Sequence, residues 1–308
     1  MNAAGAAARR LCPNCGTGEP IGPSEAVWPI SWRCKACGGM VPNAFGIPIF
    51  DPGLADTPSG FDPAAFDRLV KIEETHFWFV ARNELIVGLV DRYFAQARRY
   101  LEIGCGNGAV LQALERSRNW DRIVGSDLHP RGLAYARTRL SGRAELAQLD
   151  ARAIPAQAAF DLIGAYDIIE HVSDDEAVLR SMHRAIAPGG GVLIAVPQHP
   201  AFWSRIDEIG HHQRRYRLGE LERKLERNGF AIMFSSSYMS VLLPFMALSR
   251  LKTRYFPADD DLDAFKELKT GARSNSVMTS LSRAEVRLTL AGMRWPFGGS
   301  RMVAARAV

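Results

Sequence analysis

In LEIGCGNGAV, Leu101 to Val110, an apolar strand carrying one acid runs into three glycines at every second position and then into a helical sequence. Glycines so placed leave the backbone bare, and a ligand can press against it. Outward from this loop, strands and helices alternate. RRYLEIG reads as a strand and GAVLQALERS as a helix; DRIVGSD is a strand and PRGLAYARTRL a helix. AELAQLD and FDLIGAYD are strands, DDEAVLRSMHRAI a helix and GGVLIAVP a strand. A long connection follows Pro197, then a helix around Leu218–Asn228, then the strands GFAIMFSS and GGSRMVAARAV. The pattern predicts an α/β, doubly wound (Rossmann-like) seven-stranded, mostly parallel sheet, with its ligand crevice at the carboxyl ends of the strands.

The acids around the crevice select the ligand. Asp127 ends the second strand, where a carboxylate accepts both hydroxyls of a ribose, and Asp150 ends the third, at the edge of an adenine. The pyrophosphate of NAD requires a G-x-G-x-x-G loop, whose third glycine permits close helix packing. Here Gly104, Gly106 and Gly108 are spaced G-x-G-x-G, and Glu102 stands just before them. An acid at that point repels phosphate and suits the ammonium group of an amino acid. S-adenosylmethionine carries that group, a sulfonium, a ribose and an adenine, and no phosphate, so it is the expected cofactor.

CPNCG and CKACG place Cys12, Cys15, Cys34 and Cys37 in two CxxC turns, enough thiolates for one tetrahedral, structural zinc. Residues 1–52 therefore read as a zinc-ribbon-like domain, stabilised by metal because it is too short to bury a core of its own. Residues 53–97 read as a linker and two helical pieces, with a helix start at Asp62–Pro63 and a break near the aromatic cluster His76 to Phe79. Residues 98–308 read as the catalytic domain, of which 198–308 supply substrate-side insertions and the final strands. The cysteine usage and the lack of an apolar leader in MNAAGAAARRL point to a reducing cytoplasm. With 38 Lys+Arg against 33 Asp+Glu, the net charge of +5 permits an anionic partner without demanding one. Ala231–Ser249 carries no charge, but serines and Pro244 interrupt it. It is expected to form a strand and a buried or interfacial helix rather than a transmembrane span, which leaves peripheral membrane contact through residues 234–251 open.

Methyl transfer from a sulfonium is an in-line displacement that needs positioning, and a base when the acceptor is a hydroxyl. His171 and His212 are the candidate bases. The long connection holds Trp203, Arg214, Arg215 and Tyr216 as candidate substrate contacts, since arginines suit an acceptor's phosphate or carboxylate. A lid closed by Asp207 or Glu208 pairing with Arg214 or Arg215 is the alternative.

The run YLEIGCGNGAVLQAL…VGSDLHP…AQLDARAIP…FDLIGAYDIIEHVSDDEAVLRSMHRAIAPGGGVLIAVP resembles the class I S-adenosylmethionine-dependent methyltransferases. The resemblance implies that Glu102, Gly104 and Gly106 hold the methionine end and Asp127 the ribose. It sets Leu128 against the adenine, Asp150 and Ala151 at its polar edge, and the Ala165–Tyr166 backbone beside the amino group. FDRLVKIEETHFWFVARNELI, FWSRIDEIGHHQRRYRLGELERKLERNGF and RWPFGGSRMVAARAV are similar to a wider bacterial methyltransferase group, many of whose members look connected to cell-surface glycan or lipid pathways. That similarity implies that the helices of residues 53–97 cover the cofactor, and it places Trp78 and Arg82 over it, with Arg82 facing its carboxylate. Asp167, Glu170 and His171 also resemble the acid-x-x-Glu-His pattern of quinone-biosynthesis O-methyltransferases, where a divalent ion binds. The knuckle looks like a zinc ribbon, and the GIPIF after it resembles short zinc-binding proteins that partner methyltransferases.

The function expected is methyl transfer to a small-molecule or lipid-/carrier-linked acceptor, at oxygen. One alternative is an RNA methyltransferase that uses the knuckle, with Arg9, Arg10, Arg33 and Lys35 on or near it, for recruitment. Against nucleic acid, the chain has no NPPY-type tetrad and no dense basic stripe. The other alternative is a cofactor-binding scaffold without turnover.

Overall fold

Strands buried on both faces form the centre of the molecule. The computed structural model describes residues 7–55, 66–244 and 271–308; the helix start at Asp62–Pro63 and much of the apolar stretch after Pro244 lie outside them. β5 (Arg99–Ile103) is buried from Tyr100 onward and β6 (Arg122–Asp127) throughout. Such continuous burial, without alternation, is what a parallel sheet covered by helices on both faces requires.

Four short strands precede these: β1 (Arg9–Leu11), β2 (Gly18–Pro20), β3 (Asn43–Ala44) and β4 (Ile47–Pro48). After β6 come β7 (Glu145–Gln148), β8 (Ala156–Gln157), β9 (Phe160–Tyr166), β10 (Ile186–Pro197), β11 (Phe230–Tyr238) and β12 (Ser300–Ala307). The main sheet has seven strands in the order β11-β12-β10-β9-β5-β6-β7. β12 lies antiparallel to both neighbours and the remaining pairs are parallel. The expected seven-stranded, mostly parallel, Rossmann-like sheet is the one observed.

Helices cover both faces. On one side α3 (Phe77–Tyr93), α4 (Ala109–Ser117) and α5 (Pro130–Arg139) bury Leu85, Leu89, Leu111 and Leu133 against Tyr100 and Leu162. On the other, α6 (Asp175–Ala185) and α8 (Glu220–Arg227) bury Leu179, Met182 and Leu225 against Leu101, Ile163 and Val192, with the short α7 (Arg205–Ile209) lying between them in the chain. After a short α1 (Pro52–Ala55), the two helical pieces expected before the sheet are α2 (Phe66–Ile72) and α3, and His76 caps α3 by accepting from Trp78 N–H at 3.3 Å. A further helix, Ala272–Leu290, packs along α3 and was not expected from the sequence.

The cysteine-bearing segment is tied to the rest of the chain through a separate three-stranded sheet, β2-β1-β8. β1 pairs with β2 and also, antiparallel, with β8. Trp28 is buried in the core below the sheet, its indole N–H donating to Pro155 O at 3.0 Å. Arg122 on β6 donates to Glu25 O at 2.7 Å. No helix among the described residues is long and apolar enough to cross a membrane.

Candidate active site

The glycine loop leaves β5 in left-handed backbone. Gly104 has φ +65°, and a Cβ there would stand 2.1 Å from the Ile168 side chain. Gly108 has φ +75° at the start of α4 and faces Ala136. Only glycine meets both demands without strain. Asp127, at the end of β6, fixes the loop: its Oδ2 accepts from Gly106 N–H and its Oδ1 from His129 N–H, both at 2.8 Å.

Beside the loop opens a cleft of about 1190 Å³. Glu102, Gly104, Gly106, Asp127, Leu128, Asp150, Ala151 and Tyr166 line it, as do Trp78 and Arg82 from α3. Gly108 and Ala165 do not, the first turned to α5 and the second fully buried within β9. Three acids at three successive strand ends thus share one wall. Burial pushes the Glu102 carboxyl up to about 8, although Arg82 draws it down. Asp150 holds the Arg152 guanidinium at 2.7 Å. Arg82 pairs with Asp167 at 2.8 Å and stacks over Trp78, its guanidinium carbon 4.4 Å from the ring centroid.

Opposite these acids lie Glu170, His171 and His212, whose ligand atoms fall within 4.8 Å of one another. Glu170 is fully buried, and neither carboxylate oxygen has a hydrogen-bond partner among the described residues. Burial and the neighbouring Asp167 raise its affinity for a proton well above that of an ordinary carboxylate. Burial, and then His212, lower the His171 imidazole to about 4, so it is neutral near pH 7. The two imidazoles meet edge-on, with centroids 4.6 Å apart. A buried acid without partners beside a neutral imidazole is a donor set that could hold a divalent cation.

His212 is anchored from behind. Its Nδ1 stands 2.9 Å from Asp207 Oδ1, within ion-pair range but not aligned as a hydrogen bond. Arg215 Nε donates to the same oxygen at 2.8 Å. Burial opposes ionisation of Asp207, but His212 and the Arg215 guanidinium outweigh it and hold the carboxyl at about 2. Arg215 reaches the cleft wall. Trp203, Arg214 and Tyr216 do not line it. Arg214 bridges Ser173 O and Asp175, Tyr216 donates its buried hydroxyl to Asp175 at 2.6 Å, and Trp203 leans on Glu208. Asp175 at the start of α6 thus turns two of the four expected substrate residues away. Phe77, Met239, Leu242 and Met278 give the cleft an apolar flank. Met239 and Met278 come from segments with no motif, so nothing local in the sequence marks them.

Away from the cleft the four knuckle cysteines converge, their sulfurs all within 4.8 Å of one another. Cys12 Sγ lies 3.7 Å from Cys37 Sγ, and Cys15 Sγ lies 3.8 Å from Cys34 Sγ. Zn–S bonds of about 2.3 Å in a tetrahedron put sulfurs about 3.8 Å apart. The donor set and spacing fit zinc. Cys105 lies apart from them, buried in the glycine loop.

Residues 78–233 match the family profile of the methyltransferase domain. The match spans more than half the chain, and the chain belongs to that family. A ubiquinone biosynthesis O-methyltransferase of Pseudomonas aeruginosa is 32% identical over 122 residues, 37% of this chain and 50% of the relative. The chain thus spans about half the length of that curated relative. The corresponding enzyme of Paracidovorax citrulli is 26% identical over 218 residues, 65% of this chain and 87% of the relative. Among solved structures, the complex of the Haloferax volcanii Trm112 methyltransferase activator with a methyltransferase matches at TM-score 0.52 and 18% identity, covering 80% of this chain and 96% of the other. A SAM-dependent methyltransferase of Thermotoga maritima matches at TM-score 0.50 and 15% identity, covering 79% and 94%. At these identities the structures speak for the fold alone.

Proposed function

We propose that the protein is an S-adenosylmethionine-dependent methyltransferase acting at oxygen on a small-molecule or lipid-/carrier-linked acceptor, with a structural zinc in its four-cysteine knuckle. The observation that carries the reading is the row of acids Glu102, Asp127 and Asp150 lining one cleft beside a glycine loop with positive φ. No phosphate-bearing nucleotide suits that wall, whereas an ammonium, a ribose and an adenine do. Bound there, S-adenosylmethionine supplies a methyl group on a sulfonium.

The chain's own residues then have defined tasks. Glu102 faces the ammonium, Asp127 the ribose hydroxyls, and Leu128, Asp150 and Ala151 the adenine. Arg82 meets the carboxylate, exchanging part of its pairing with Asp167. His212 takes the acceptor's proton at Nε2, because its Nδ1 faces the Asp207 carboxylate at 2.9 Å. Were a divalent cation held by Glu170, His171 and His212, it would lower the acceptor hydroxyl's pKa in place of the base, since one Nε2 cannot both bind metal and take the proton. The apolar flank of Phe77, Met239, Leu242 and Met278 suits an acceptor with an apolar body. The ubiquinone biosynthesis O-methyltransferases among the relatives support oxygen as the acceptor atom.

The acceptor is found by comparing metabolite and lipid masses between a deletion strain and its parent. The strain is expected to lack one species and to accumulate its partner that is one CH₂ lighter. No such pair in any fraction would overturn the assignment of a small or lipid-linked acceptor.

Two further outcomes are expected. His212→Gln lowers kcat by about 10²–10⁴, with affinity for S-adenosylhomocysteine unchanged; steady-state kinetics on the identified acceptor measure it, and an unaltered kcat removes His212 as base. The second concerns pH. With its carboxyl raised to about 8, Glu102 is protonated at pH 6 in the free protein, and an ammonium ligand demands the ionised form. Binding below pH 8 therefore releases a proton, and affinity climbs by up to about tenfold per pH unit until it levels near 8. The raised carboxyl also makes the free protein lose stability as pH rises from the ordinary carboxylate range towards 8, since the native state there binds more protons than the unfolded one. Affinity that is flat from pH 6 to 8 in calorimetric titrations would disprove the Glu102–ammonium contact.

A further inference from the structure

The chain leaving the cysteine knuckle is clasped to the cleft by one buried side chain. Phe50 packs against the small group formed by Cys12, Trp32, Cys34 and Val41. It also meets Trp28, at 5.6 Å between centroids, in the core below the sheet. Ile49 bridges Gln148 at the end of β7 in parallel, extending the main sheet at its edge. Phe50 N–H donates to Gln148 O and Asp51 N–H to Gln148 Oε1, both at 3.0 Å. Gln148 Nε2 donates to Asp51 O at 2.8 Å and to Leu128 O at 3.2 Å.

Gln148 is fully buried. A buried amide costs stability unless its groups are paired, and an apolar residue would fill the same strand position without that demand. Here the amide's hydrogen bonds run from β7 to Asp51 at the knuckle's exit and to Leu128, the residue after Asp127. Leu128 and Leu54, the latter's N–H donating to Asp51 Oδ1 at 3.3 Å, both line the cleft. The exit is tied back to the knuckle through Val41 N–H to Trp32 O and Ile49 N–H to Pro42 O, each at 2.9 Å. The apolar group around the thiolates is too small to hold those turns alone, so their order depends on metal.

We propose that Gln148 is a positioning residue that transmits zinc occupancy of the knuckle to the adenosyl end of the cleft. Metal fixes residues 47–51, the amide carries that order to the Leu128 carbonyl, and the Asp127–Asp150 edge is set for its ligand. The proposal rests on the cofactor reading and goes beyond it: the knuckle acts on cofactor affinity within its own chain rather than by recruiting an acceptor.

The test is calorimetry with S-adenosylhomocysteine on the full-length protein, zinc-loaded and zinc-stripped, as wild type and as Gln148→Met, which keeps the side-chain volume and loses the clasp. Stripping is expected to weaken binding by wild type about tenfold. Gln148→Met is expected to lose a similar factor while retaining its zinc by mass spectrometry. Stripping Gln148→Met should then add less than about twofold, because the route is already cut. Wild-type affinity unmoved by stripping, or losses that multiply independently, overturns the proposal. Gln148→Glu, which keeps the acceptor and loses both donors, replaces Gln148→Met if that variant does not fold. Hydrogen exchange separates the two readings should zinc-loaded wild type bind no S-adenosylhomocysteine, an outcome that defeats the cofactor assignment by itself. Stripping must still speed exchange at residues 127–129 and 148–151 while leaving β10 unchanged, and equal exchange in both states defeats the clasp.

Discussion

Asp127→Ala is expected to weaken binding of S-adenosylhomocysteine by about 2–4 kcal/mol, since charged hydrogen bonds are lost with no water-accessible replacement. That is roughly 30- to 900-fold in affinity. The carboxylate organises the loop through Gly106 N–H and His129 N–H, and in the proposed complex it also faces the ribose. Asp127→Asn separates the two tasks. The amide oxygen can keep one backbone bond while its nitrogen cannot keep the other, so about half the free-energy loss is expected, with a thermal midpoint close to wild type. Calorimetry gives the affinity and thermal unfolding the loop's share. Full affinity in Asp127→Ala would remove the ribose contact from the account.

The second large effect is Cys34→Ser. Structural zinc binds with an apparent 10–16 kcal/mol at pH 7, and a tetrahedral thiolate site that loses one ligand loses most of it. Cys34 is also the more costly loss because it is buried beside Trp32 and Val41, whereas Cys15 and Cys37 are exposed. The variant is expected to carry almost no zinc by mass spectrometry and to be cleaved by protease within residues 7–50. The main sheet should persist, since α3 to α6 and α8 supply most of its cover, to which the knuckle adds Trp28 and Ile49. A wild-type protein that contains no zinc, or a Cys34→Ser protein as protease-resistant as wild type, contradicts the metal assignment.

Where residues act locally, the sequence announces them. The βα alternation from Arg99 onward specified the parallel strands, because strand and crossover helix are neighbours in the chain. Glu102, Asp127 and Asp150 were legible since each ends a strand, and a doubly wound sheet brings such ends together. The CxxC turns were legible because metal spacing is a local property. What escaped depends on partners distant in sequence. The pairing of β1 with β8 and the bridge from Ile49 to Gln148 leave no periodic trace. Arg214 and Tyr216 looked like substrate residues until Asp175 was seen to claim both. The lid alternative was closer for Arg215, which does pair with Asp207, yet that same acid also backs His212. Gln148 did leave a signal: it is a polar side chain in AELAQLD, a strand due to be buried on both faces.

In the proposed function the row of acids in the cleft selects an adenosyl amino acid over a phosphate-bearing nucleotide. Titrating the zinc-loaded, full-length protein with S-adenosylhomocysteine and, separately, with NAD tests that choice directly. Saturable binding of the first with none of the second is the expected result. Binding of NAD in the cleft, with S-adenosylhomocysteine failing to compete for it, would contradict the account.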